Sequence, residues 1–139
     1  MAINNPMEKT YTTTPASVSK KTFSIAGIIT TVYGLGELPS QVEDVACLWL
    51  LHPRLQTQAC MEPIAASMII DWNRRLQEAT AISGQASKGL IAVSFDQRNH
   101  GSREVDKLAN EAWRSGNAKH AQDMFSIYRT FLACCFIQA

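Results

Sequence analysis

The residues that could do chemistry stand in two short polar segments, each directly after an apolar run. His52, Pro53 and Arg54 follow VACLWLL, and residues 96–103, DQRNHGSR, follow LIAVSF. Histidine transfers protons near neutral pH, and aspartate and arginine bind charged or hydrogen-bonding groups. A loop this rich in hydrogen-bonding groups is either a turn held together by its own side chains or the rim of a site.

The two apolar runs and the segment between them predict a βαβ unit. Val45–Leu51 and Leu90–Phe95 are apolar without alternation, which is typical of strands covered on both faces in a parallel or mixed sheet. Residues 61–80 are predicted to form the crossover helix, with Pro63 in its first turn and an apolar stripe of Ile64, Met68, Trp72 and Leu76, widened by Ile69 and Ile70. Because parallel strands end at the same edge of a sheet, both polar segments are expected there.

A β-hairpin is predicted before this unit. Thr22–Ile25 and Ile28–Tyr33 are β-like stretches separated by Ala26 and Gly27. Residues 1–21 are rich in Thr, Ser, Asn and Pro without an apolar period, which predicts a flexible leader.

Further helices are predicted after the second polar segment. One is indicated by apolar residues at helical spacing, ending at Gly116: Val105, Leu108, Ala109, Ala112 and Trp113. Another begins near Asp123 and carries Met124, Tyr128 and Phe131 on one face. The predicted fold class is therefore α/β, with a leading hairpin, a βαβ unit and two or three helices. The three tryptophans fall on predicted core faces: Trp49, Trp72 and Trp113.

Composition indicates one globular unit and excludes several classes of function. The chain has 139 residues, 46% of them hydrophobic, and a net charge of +1, with its 13 Lys and Arg residues spread along the chain. No basic run of the kind that binds nucleic acid is present. The longest apolar run, Phe131–Ile137, is too short to span a bilayer.

The four cysteines do not form a metal or dithiol motif. Cys47, Cys60, Cys134 and Cys135 make neither a C-x-x-C pair nor a His/Cys ligand pattern, so we expect no metal and no other cofactor. The N-terminus lacks the apolar region of a signal peptide, and no N-x-S/T acceptor occurs. A reducing, cytoplasmic location is therefore predicted.

The ordered pair of motifs, LWLLHPR and then SFDQRNHGSR, resembles the N-terminal half of the α/β-hydrolase fold family over residues 22–128. In that family a strand ends in a His-Gly-type turn whose following backbone N–H helps to form the oxyanion hole. His52 and Pro53 match this pair, which implies an oxyanion role for the N–H of Arg54. The next strand of the family ends in an Asp-x-Arg-Gly-x-Gly-x-Ser-type loop, which is matched, with Asn99 replacing a glycine, by Asp96, Arg98, Asn99, His100, Gly101 and Ser102.

The second loop is expected to brace the site edge rather than to catalyse. Asp96 and Arg98 are predicted to form an ion pair and turn hydrogen bonds within the loop. His100 is predicted to bond to backbone, and His52 either orients the turn or takes part in the site.

The resemblance implies a serine esterase-like hydrolase of small ester substrates, but the catalytic triad is missing. The family places its Ser in a G-x-S-x-G elbow after the next strand, followed by an acid and a His, and no such elbow occurs here. The resemblance ends at Arg129, and residues 129–139, RTFLACCFIQA, are predicted to form a divergent apolar tail. The expectation is a truncated hydrolase with no catalytic residue and no activity of its own.

Two other functions stay open. An incomplete sheet would expose a strand edge, which favours a non-catalytic interaction module or self-association. Nucleotide binding by a Rossmann-like half-domain shares the βαβ pattern but lacks a glycine-rich loop after a strand. A thermal-shift screen of mononucleotides and light scattering discriminate between them.

Overall fold

The protein folds around an open, mixed four-stranded sheet. The computed structural model describes residues 17–40, 42–83 and 87–136, without the side chains of residues 43, 81–83, 87 and 130–136. Most of the predicted leader therefore lies outside the described residues. The strand order is β1-β2-β4-β3, with strands β1 (Lys20–Ile25), β2 (Ile28–Tyr33), β3 (Val42–Leu50) and β4 (Ser87–Phe95). Strands β3 and β4 are parallel and the other neighbouring pairs are antiparallel, so the predicted α/β class, hairpin and βαβ unit are confirmed.

The hairpin turn consists of Ala26 and Gly27, both in the left-handed region. Their φ angles are 50° and 78°, which is the pattern of a type I′ turn. This turn matches the twist of the two strands, and pairing is continuous from Lys20 with Tyr33 to Ile25 with Ile28. Only Gly27 adopts this conformation without steric cost.

Helix α1 (Glu62–Ser83) covers one face of the sheet and forms the core. A short 3₁₀ turn, Gln58–Met61, leads into it, and Pro63 lies in its first turn as predicted. Its buried stripe differs from the predicted one, because Met68 and Ile70 are exposed. The core cluster joins the helix to two central strands through Tyr33, Ala65, Ile69, Leu90 and Ala92.

Strand β3 lies at the edge of the sheet, and the prediction that VACLWLL is covered on both faces is wrong because one of its faces is partly exposed. Ala46, Leu48 and Leu50 face the core, whereas Val45 and Cys47 are exposed on the opposite face. An unbroken apolar run does not distinguish a central strand from an edge strand, because the position depends on partners distant in sequence. Strand β4 is the central strand, with Leu90, Ala92 and Phe95 buried.

The helix predicted from Val105 to Trp113 does not form. That region contains the 3₁₀ turns Leu108–Asn110 and Trp113–Ser115, after an earlier one at Gly101–Arg103. Val105 is 92% exposed and Trp113 is 63% exposed, so neither is a core residue. The side chain of Asn99 accepts the backbone N–H groups of Val105 and Asp106, which competes with helix formation.

Helix α2 (His120–Phe136) confirms the last predicted helix and begins three residues before the predicted start. Among the side chains of this helix that the structure describes, Ile127 is buried, whereas Tyr128, predicted on the apolar face, is 62% exposed. The helix continues through most of the segment predicted as a divergent tail, and the side chain of Phe131 lies outside the described residues. Of the helices in the described part of the chain, none combines the length and the apolar character that crossing a bilayer requires.

Candidate functional site

The two polar loops meet at the carboxyl ends of β3 and β4, as predicted. The backbone N–H of Gln97 donates to Nε2 of His52 over 3.0 Å. The side-chain amide of Gln97 donates to the backbone carbonyl of His52 over 2.5 Å. Parallel pairing of β3 with β4 places these residues side by side, although 45 positions separate them in the chain.

His52 fixes the loops in place and is not a free base. It is 2% exposed, and its Nδ1 lies 2.9 Å from the carbonyl oxygen of Pro53. Since a carbonyl only accepts, Nδ1 carries the proton and Nε2 accepts from Gln97. Burial lowers the pKa of His52 below its ordinary value of 6.5, and His100 lowers it further, while the Pro53 carbonyl and Asp96 raise it by less. The interpretation of His52 as a residue that orients the turn is supported.

The turn after His52 exposes a backbone donor. The N–H of Gln56 donates to the carbonyl of Pro53 over 3.1 Å, and Leu55 has a φ of 66°. A positive φ at the third position of such a turn is typical of type II, in which the second position is Arg54. Among the described residues the N–H of Arg54 has no hydrogen-bond partner, and its side chain is exposed without an ion pair.

Asp96 organises the second loop through hydrogen bonds. One carboxylate oxygen accepts the N–H of Gln58 over 2.8 Å, and the other accepts the N–H and the hydroxyl of Ser102 over 2.8 and 2.9 Å. Burial alone raises the pKa of Asp96, but these hydrogen bonds outweigh it and hold the pKa below its ordinary value of 3.8.

The predicted ion pair between Asp96 and Arg98 is wrong. Arg98 is exposed and makes no salt bridge with a described residue. The carboxylate of Asp96 instead accepts three hydrogen bonds, from the backbone N–H groups of Gln58 and Ser102 and from the hydroxyl of Ser102. The predicted turn hydrogen bonds are present.

Asn99, which stands where the loop pattern that the sequence resembles has a glycine, has a glycine-like backbone conformation. Its φ is 60°, a conformation that asparagine tolerates better than most residues. Its amide donates to Asn110 over 3.0 Å, and Asn110 donates back to the carbonyl of Asn99. Asn110 is not among the predicted site residues, because its partner lies 11 residues away and no local sequence pattern marks the pair.

Gly101 lies directly against the Asp96 carboxylate. Its φ is 51°, and a Cβ at this position would lie 2.3 Å from an oxygen of Asp96. No side chain fits there, which explains the glycine in physical terms.

His100 lies beside His52 and keeps one ring nitrogen unpaired. The two ring centroids are 5.2 Å apart, and Nδ1 of His100 lies 2.9 Å from the carbonyl oxygen of Arg98. The prediction that His100 bonds to backbone is confirmed. Its Nε2, however, is buried without a hydrogen-bond partner among the described residues.

A cleft of about 250 Å³ opens beside these residues, between the two loops and α2. Its polar wall contains His52, Arg54, Gln97 and His100. Its apolar wall contains Leu51, Pro53, Met124, Ile127 and Tyr128. No hydroxyl or thiol of a serine, threonine or cysteine lines this cleft within the described residues, and the hydroxyl of Ser102 is bonded to Asp96.

No group of three or more His, Cys, Asp or Glu side chains in the described part of the chain is arranged to hold a metal ion. The candidate site is therefore a turn with a free N–H, a buried histidine pair and an apolar wall.

No protein-family model, curated protein or solved structure matches this chain. The comparisons assign no family, and the functional argument depends on the geometry of this cleft.

Proposed function

We propose that this chain carries the oxyanion-turn part of an α/β-hydrolase-like, serine esterase-type domain, and that it binds acyl-type anions without hydrolysing esters. The observation that carries the proposal is the backbone N–H of Arg54, which has no hydrogen-bond partner among the described residues and belongs to a residue that lines the cleft. A fixed backbone donor of this kind stabilises the negative oxygen that develops in acyl transfer.

The position of this turn in the chain supports the proposal. In α/β-hydrolases one of the two oxyanion donors comes from the loop between the third strand and the first long helix. Arg54 lies in the corresponding loop, between β3 and α1. The bonds from Gln97 to His52 and from Gln58 to Asp96 hold both ends of this loop against the end of β4.

The absence of turnover follows from the groups that line the cleft. Acyl transfer by this family needs a nucleophile, a base and an acid that orients the base. In the described cleft no serine, threonine or cysteine side chain is available as a nucleophile, and both ring nitrogens of His52 are engaged. The N–H of Arg54 can bind a carboxylate, but ester hydrolysis by this route lacks its nucleophile.

The test compares two substitutions of one residue. Arg54→Ala removes the guanidinium and keeps the N–H, whereas Arg54→Pro removes both. Proline is favoured at this second position of a type II turn, so the turn is retained. In NMR titrations with butyrate, the wild type and Arg54→Ala are expected to bind, and Arg54→Pro is expected to lose binding at least tenfold, or about 1.4 kcal/mol.

A parallel assay with p-nitrophenyl butyrate is expected to show no hydrolysis above the buffer rate for any of the three proteins. Turnover by the wild type that disappears in Arg54→Pro would contradict the non-catalytic part of the proposal. Equal butyrate binding by Arg54→Ala and Arg54→Pro would contradict the oxyanion part.

A second candidate function is strand addition at the open edge of β3. Within the described residues the outer edge of this nine-residue strand has no strand partner, and Val45 and Cys47 are exposed on the face of the strand opposite the core. Unpaired strand edges recruit further strands. Light scattering that shows a molecular mass rising with concentration, and a monomer for Val45→Lys, supports this function. A monomer at all concentrations contradicts self-association.

A further inference from the structure

The unpaired Nε2 of His100 is the least explained polar atom of the described structure. The residue is 3% exposed, and this nitrogen has no hydrogen-bond partner. A buried polar atom without a partner costs about 1–3 kcal/mol, so a folded protein that keeps one usually pairs it with something else.

The hydrogen-bonding role of Nε2 follows from the contact that the other ring nitrogen, Nδ1, makes. Nδ1 lies 2.9 Å from the carbonyl oxygen of Arg98, which can only accept, so Nδ1 carries the proton. The tautomer that carries its proton on Nδ1 presents Nε2 as an acceptor. The missing partner is therefore a hydrogen-bond donor.

The cleft supplies complementary groups at its other positions. Arg54 contributes a free N–H and an unpaired guanidinium, both of which favour a carboxylate. Leu51, Met124 and Ile127 contribute an apolar wall. With about 250 Å³, the cleft is smaller than most drug-sized pockets and suits a small molecule.

We propose that this cleft binds a small carboxylate that also carries a hydroxyl or N–H donor, with the carboxylate at Arg54 and the donor at Nε2 of His100. The proposal rests on the proposed function for its anion site and adds the acceptor that distinguishes hydroxy or amino acids from plain acids. A site built around an unpaired polar group discriminates strongly against an analogue that lacks the matching group.

The alternative occupant of Nε2 is a bound water, which would satisfy the same acceptor. A water makes no distinction between ligands, whereas a ligand hydroxyl does. The pair 3-hydroxybutyrate and butyrate has the same carbon skeleton and charge and differs by that hydroxyl alone.

The experiment titrates ¹⁵N-histidine-labelled protein with each probe at matched ionic strength. We expect 3-hydroxybutyrate to bind about tenfold more tightly than butyrate, and we expect only 3-hydroxybutyrate to shift the Nε2 resonance of His100. His100→Phe is expected to bind both probes equally. Lys107→Ala, which removes an exposed cation outside the cleft, is expected to change neither affinity.

The outcomes separate this inference from the proposed function. Butyrate binding that depends on the Arg54 N–H, with no gain from the hydroxyl, overturns the inference and leaves the oxyanion turn intact. A hydroxyl preference that persists in His100→Phe also overturns it. No binding of either probe overturns both. The Nε2 signal of the wild type decides the question even where His100→Phe does not fold.

Discussion

At the scale of single residues, the site is held by a few buried polar groups whose bonds cross between loops. Asp96 holds Gln58 and Ser102 together, and His52 holds Gln97. Asp96 and His52 are almost completely buried, so leaving either of them without its hydrogen-bond partners is costly. Gly101 leaves the space that the Asp96 carboxylate occupies.

Gly101→Ala is expected to destabilise the fold more than Gly116→Ala. Both glycines have positive φ, 51° and 94°, so each alanine carries a backbone cost of about 1 kcal/mol. At Gly101 the new Cβ also meets the Asp96 carboxylate, which adds about 1–3 kcal/mol, whereas nothing lies within 4 Å at Gly116. Urea unfolding of both variants measures the difference, and equal losses would show that the carboxylate can move away freely.

At the scale of elements, turn residues and apolar spacing predicted some helices and strands correctly and failed for one segment. The hairpin, α1 and α2 were predicted because turn residues and apolar spacing agree with the tertiary structure. The segment from Val105 to Trp113 has helical spacing too, yet Asn99 and Asn117 bind its backbone with their side chains. Spacing alone does not reveal this competition, since Asn99 lies outside the segment.

Ala26→Asn is expected to stabilise the hairpin. Asn-Gly is the preferred pair for a type I′ turn, and Ala26 pays a steric cost at φ 50° that asparagine pays less. The free energy of unfolding is expected to rise by about 0.5–1 kcal/mol. Thermal and urea unfolding test this, with Ala26→Val as a control that is expected to lower stability; a rise for both would rule out the turn as the cause.

At the scale of the whole molecule, parallel pairing of β3 and β4 couples residues far apart in the chain. This coupling places His52 in a buried, neutral state that has consequences for pH dependence. Its pKa is lower in the folded protein than the ordinary 6.5, so the unfolded chain binds more protons in the interval between the two values.

The contribution of His52 to the free energy of unfolding is therefore expected to be complete above pH 6.5. It is expected to fall as the pH drops from 6.5 through the pKa of His52 in the folded protein. His52→Gln, which keeps an acceptor for the Gln97 N–H, is expected to reduce the slope. The pKa of Asp96 is also lowered, from 3.8, but its contribution is lost only at lower pH, which keeps the two effects apart. Urea unfolding from pH 8 to 4 measures both, and an unchanged slope in His52→Gln would assign the loss to other groups.

The sequence by itself determined the mixed α/β class, the hairpin, the crossover helix and the meeting of the two polar loops, because these depend on local spacing and on the direction of parallel strands. The tertiary structure alone decided that β3 is an edge strand, that Asp96 binds backbone and hydroxyl donors instead of Arg98, and that Nε2 of His100 has no hydrogen-bond partner among the described residues. Each of these depends on which distant groups approach in space, and no local pattern of residue types encodes that approach. The pair LLHPR and DQRNHGSR marked the position of the cleft, and its free donor and free acceptor became visible only when the chain was folded.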